Sequence, residues 1–65
     1  MEKKTWKDIE FIRLLNNNGF KKVSSTGSHV KFKNNIGNTI VVPIGHDINR
    51  MMARRLIKEN NLVLK

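Results

Sequence analysis

Apolar residues in this chain recur first at helical spacing, then in alternation, then at helical spacing again. Between Thr5 and Asn18, Ile9, Phe11, Ile12 and Leu15 share one broad stripe of a helical projection, flanked by Trp6 and Leu14, with Lys7, Glu10 and Arg13 elsewhere. Thr5 and Asp8 stand in the spacing of a capping box, which predicts a helix start at Thr5. Asn16-Asn17-Asn18-Gly19 ends the pattern with residues that tolerate a left-handed backbone, and Phe20 is placed to fold back onto the last turn. Lys21 to Thr26, rich in Ser, Thr and Val, predicts a short strand at a sheet edge. From Ser28 to Lys33 the alternation is sharp: Val30 and Phe32 face one way, His29, Lys31 and Lys33 the other. Asn34 to Asn38 is a turn by composition, after which Ile40, Val42 and Ile44 alternate with Thr39, Val41 and Pro43. Gly45-His46-Asp47 supplies a break and a cap. Ile48, Met51, Met52, Leu56 and Ile57 then predict a second helix from Ile48 to Asn60, with Arg50, Arg54 and Lys58 along its other edge.

The order α-β-β-β-α predicts an α+β fold: a three-stranded antiparallel sheet with both helices on one face, as in the double-stranded-RNA-binding domain. That layering buries Val30, Phe32, Ile40 and Val42 together and leaves His29, Lys31 and Lys33 in water. At 65 residues the chain is shorter than the roughly 100 to 150 of a common domain, so residues 1–65 are expected to form a single domain with a thin margin of stability. There is no repeat, linker or low-complexity segment.

Charge narrows the function. Thirteen Lys and Arg against five Asp and Glu leave a formal charge of +8, spread over several elements instead of one amphipathic helix, which favours nucleic acid over a membrane surface or an acidic protein as the anionic partner. The absence of cysteine fits a reducing compartment, so a cytoplasmic location is expected. No apolar run approaches the roughly 20 residues that cross a bilayer.

Reactive residues are few. Nothing has the spacing of a metal-ligand set, a Walker-type phosphate loop or a dinucleotide fingerprint, so no metal or cofactor is expected. Histidine remains. His29 follows Gly27-Ser28 at the start of the central strand, on its polar face, beside Lys31 and Lys33. Imidazole titrates near pH ~6.5 and passes a proton either way, while RNA carries a 2′-hydroxyl able to attack its own adjacent phosphate. A histidine among cations is therefore a minimal metal-free ribonuclease, and the same residues equally suit phosphate binding without cleavage. Lys22, Lys31 and Lys33 are the candidate phosphate contacts, with Ser28 assisting and Gly27 shaping the backbone. His46, in the break before the second helix, suits a plain loop residue better. Trp6 and the Met51-Met52 pair suit the core.

The succession Asn18-Gly19-Phe20, Thr26-Gly27-Ser28-His29-Val30-Lys31-Phe32, Ile40-Val41-Val42-Pro43 and a basic closing helix resembles the HicA family of toxins, over about Trp6 to Leu62. The resemblance implies an mRNA-degrading endoribonuclease of a toxin–antitoxin pair, with the histidine of the Gly-Ser-His step, His29, as catalytic residue and a HicB-type antitoxin as partner. The alternative is a non-catalytic RNA-binding module of the same fold. Two positions depart from the pattern: many relatives have a second histidine where this chain has Val30, and a Gly-Thr step where it has Met51-Met52.

Overall fold

The computed structural model describes residues 5–64. Its elements are β1 (Thr5–Trp6), α1 (Asp8–Asn17), β2 (Lys21–Thr26), β3 (His29–Lys33), β4 (Thr39–Pro43), β5 (Ile48–Asn49) and α2 (Arg50–Glu59). Strands β2, β3 and β4 form an antiparallel sheet in that order, and β1 pairs with β5 in a separate two-stranded ribbon. The architecture is the α+β arrangement expected, with the short ribbon added.

One apolar cluster holds the layers together. Phe11, Leu14 and Leu15 of α1 and Ala53 of α2 pack with Val30 and Phe32 of β3 and with Ile40 and Val42 of β4, so both helices cover the same face of the sheet. Phe20, Ile48 and Leu62 complete it, and Trp6 meets Phe11 edge to face at 5.6 Å. Trp6 thus serves the core, as its place beside the apolar stripe suggested.

Both helices end in one motif. Gly19, at φ 85°, donates its N–H to Asn16 O and Phe20 donates to Leu15 O at 2.9 Å, while in α2 Asn61, at φ 53°, donates to Lys58 O and Leu62 to Ile57 O at 2.9 Å. These are Schellman closures, and each returns an apolar side chain, Phe20 or Leu62, to the core. Asn18 does more than end α1. Its side-chain amide donates to Leu14 O and to Val63 O and accepts from Val63 N at 2.7 Å, which fixes the chain after α2 against the end of α1.

The helix starts differ from expectation. Thr5 does not cap α1, because Thr5 and Trp6 pair with Asn49 and Ile48. The cap position is Lys7, whose N–H is taken by Glu10 Oε1 at 3.1 Å. Asp8 lies in the first turn, accepting from Ile9 N at 2.8 Å and from Gly45 N at 2.9 Å. Those amide donors, Gly45 foremost, hold its carboxyl below the usual carboxylate range, with a lesser contribution from the charge of His46. Helix α2 starts at Arg50 instead of Ile48, and its cap is Asn49, accepting from Met52 N, instead of Asp47. Met51, expected in the core, is 80% exposed, and Ala53 is the buried residue of α2. Ile9, expected in the buried stripe, is exposed, and Leu14, expected at its flank, is buried. No helix among the described residues is long and apolar enough to cross a membrane.

Candidate nucleic-acid interface

The Gly-Ser-His step is a hairpin. Thr26 pairs with His29 across Gly27 and Ser28, and Gly27, at φ 59°, takes the first of the two turn positions. A positive φ there followed by a negative one at Ser28 is the pattern of a type II′ turn, whose twist suits the flanking strands. Gly27 is thus required by the backbone, and His29 is fixed as the first residue of β3. On its other side His29 pairs with Pro43, and Ile44 N donates to Ser28 O, so the ladder continues past a proline that has no N–H to give. His29 is held from both neighbours by main chain. Its side chain is exposed, and so is that of Ser28.

Directly paired residues of an antiparallel sheet project to the same side. The solvated face is accordingly built in three columns: Lys21, Ser24 and Thr26 from β2, His29, Lys31 and Lys33 from β3, and Thr39, Val41 and Pro43 from β4. Of the predicted site residues, His29, Lys31 and Lys33 come together on this face, with Gly27 and Ser28 at its end. Lys22 does not. A register shift between Lys22 and Ser24 leaves Val23 without a partner and pairs Lys22 with Phe32, whose side chain is in the core. The bulge exchanges the faces of the strand's first residues, so Lys21, opposite Lys33, occupies the place expected for Lys22. Nothing in the composition of Lys21 to Thr26 marks a bulge, so the sequence alone points to Lys22 for this place and not to Lys21.

No acidic residue occurs between Phe20 and Ile44, a segment with four lysines; the five acids are Glu2, Asp8, Glu10, Asp47 and Glu59. Every charged residue that this segment places on the face is therefore positive. Like charges placed directly opposite one another, as Lys21 and Lys33 are, destabilise a sheet unless an anion lies over them. His46 stands apart from these columns, in the loop after β4. Among the described residues no three His, Cys, Asp or Glu converge as a metal-ion cluster.

A solvated sheet face with one histidine in a row of cations, over a helix-covered core, defines an α+β module with a cationic strand at its surface. The family model described as HicA toxin of bacterial toxin–antitoxin matches residues 9–62, and the chain belongs to that family. It is the toxin component of a toxin–antitoxin system, and an antitoxin is its implied partner. No curated protein and no solved structure gives a significant match.

Proposed function

We propose that the protein is a metal-independent endoribonuclease that cleaves mRNA at the β2–β3–β4 face, with His29 as its catalytic residue. The observation that carries this reading is the position of His29. It is an exposed imidazole fixed at the start of β3, in one column with Lys31 and Lys33, in a chain of the HicA family. The lysines draw a phosphodiester over the strand. The 2′-hydroxyl oxygen attacks the adjacent phosphorus as its proton leaves, and the bond from phosphorus to the 5′-oxygen breaks as that oxygen gains a proton. The products are a 2′,3′-cyclic phosphate and a 5′-hydroxyl. The imidazole serves as the base for the first transfer or the acid for the second, a contribution worth ~10²–10⁴-fold. Ser28, next to His29 in the turn, assists in positioning.

A HicB-type antitoxin that is acidic where it meets Lys31, Lys33 and the Arg50, Arg54, Lys58 edge of α2 would inhibit by covering His29. Its association should slow as salt rises. The direct test is cleavage of RNA by the wild-type chain and by His29→Ala, each in EDTA. Cleavage by the wild type alone supports the proposal. Equal cleavage by both, or wild-type cleavage that depends on an added divalent ion, refutes it.

A further inference from the structure

The solvated face has two tones. One half is cationic: the β3 column His29, Lys31, Lys33, with Lys21 beside Lys33. The other half is the β4 column Thr39, Val41, Pro43, which carries no charge and ends in two apolar residues. Val41 is 43% exposed between Thr39 and Pro43, directly opposite Lys31, and Pro43 is directly opposite His29. Hydrophobic burial does not explain Val41, since the core side of β4 is already supplied by Ile40 and Val42; Pro43 beside it is half-buried.

We propose that this face reads single-stranded RNA in a fixed orientation, with phosphates over β3 and Lys21 and with bases resting on Val41 and Pro43 of β4. The inference rests on the reading of the face as an RNA site and adds the substrate's strandedness, its lateral orientation and Lys21 as a phosphate contact. The pairing of cationic with apolar columns selects the ligand. A duplex turns its phosphates outward and keeps its base faces stacked inside, so against a flat sheet it would use the lysines and leave Val41 and Pro43 idle. An unpaired strand carries charge on one side and apolar base faces on the other, and both columns are then used. Pro43 opposite His29 puts the base support beside the imidazole, at the nucleotide whose phosphate would be attacked.

The test measures binding to the His29→Ala chain, which holds RNA without cutting it. The probes are a short oligouridylate, the same strand annealed to oligoadenylate, and inorganic polyphosphate, each over a range of salt. The single strand is expected to bind at least tenfold more tightly than the duplex. Lys21→Gln, Lys31→Gln and Lys33→Gln are each expected to lower the salt dependence by about 0.7, the value of one phosphate contact on a single strand. Lys22→Gln, on the other side of the sheet, is expected to lower it less. Val41→Ser is expected to weaken oligouridylate about fivefold, with the salt dependence and polyphosphate binding unchanged.

Equal affinity for duplex and single strand would overturn the proposal. So would a Lys22→Gln effect equal to that of Lys21→Gln, or a Val41→Ser effect shared by polyphosphate or absent from both ligands. If the pattern holds but the wild-type chain does not cleave, the proposed activity fails and the reading surface stands. If the wild type cleaves and the pattern fails, the reverse is true.

Discussion

The two faces of the β2–β3–β4 sheet are made from alternate residues of the same strands and have opposite tasks. Val30, Phe32, Ile40 and Val42 are buried under the helices, whereas His29, Lys31, Lys33 and Val41 stand in water one residue away. The inner face is chosen for volume and the outer for charge. The backbone separates them so well that a change on one need not be felt on the other. Stability resides under the helices, and the proposed chemistry resides on the far side of the same hydrogen-bonded ladders.

The strongest way to break this comparison is a pair of substitutions in β3. His29→Ala should remove RNA cleavage, a loss of at least ~100-fold, while shifting stability by less than ~0.5 kcal/mol, because the side chain supports no core contact. Phe32→Ala should do the opposite, costing roughly 3–5 kcal/mol, much of the stability of so small a protein. Cleavage assays and urea unfolding on both variants check this, and a His29→Ala chain that unfolds as readily as Phe32→Ala would join the faces. Val30→His gives a sharper cut. It sets a second histidine directly after the first, at a position that is buried here. It should cost ~1–3 kcal/mol in the same unfolding measurement and leave cleavage by the folded fraction no faster than wild type.

Much of this division was legible in the amino-acid order. The alternation from His29 to Lys33, the Asn-rich turn and the proline stop place the hairpin and assign its faces, because a two-residue period admits only one assignment once a core is required. Three features were not legible, for separate reasons. Lys21 replaced Lys22 because a bulge counts one residue out of step without altering composition. The β1–β5 ribbon joins Thr5 to Asn49 across most of the chain, and such pairing overrides the local helix signal of Thr5 and Asp8. Met51, expected in the core, is exposed because Ile48, counted as the first apolar residue of that helix, lies in β5, and α2 begins only after its cap Asn49. Leu62, by contrast, could have been found. Asn60-Asn61-Leu62 repeats the Asn18-Gly19-Phe20 pattern, and both end in a buried apolar residue.

That repeat allows smaller effects on the inner face to be ranked. Gly19 and Asn61 both hold a left-handed backbone at the end of a helix, and only Gly19 does so without a side chain. Gly19→Ala should lower stability by about 1–2 kcal/mol, and Asn61→Gly should raise it by at most ~1 kcal/mol. The outer face should not register either change, so RNA affinity of the folded protein should be the same in all three chains. Thermal unfolding together with RNA binding checks both statements, and opposite signs at the two positions are the expected result.

The smallest effect concerns Asp8, which ties the start of α1 to the loop after β4 through Gly45 and so helps to seat the helix on the inner face. Its carboxyl is held below the ordinary value of 3.8, chiefly by the Gly45 amide and next by that of Ile9, so the folded state binds its proton less readily than the unfolded chain. Such a group adds stability that is fully present above the unfolded value and is lost as the pH falls through the lower folded one. Wild type should therefore be more stable than Asp8→Asn at pH 7, by an increment that shrinks once the pH drops below about 4. Comparing the two chains removes the common contribution of the other four acids. Urea midpoints at closely spaced pH values give the difference directly. A gap that is constant with pH would mean that the Asp8–Gly45 tether acts through its hydrogen bond alone, and a gap that widens in acid would contradict the direction of the shift.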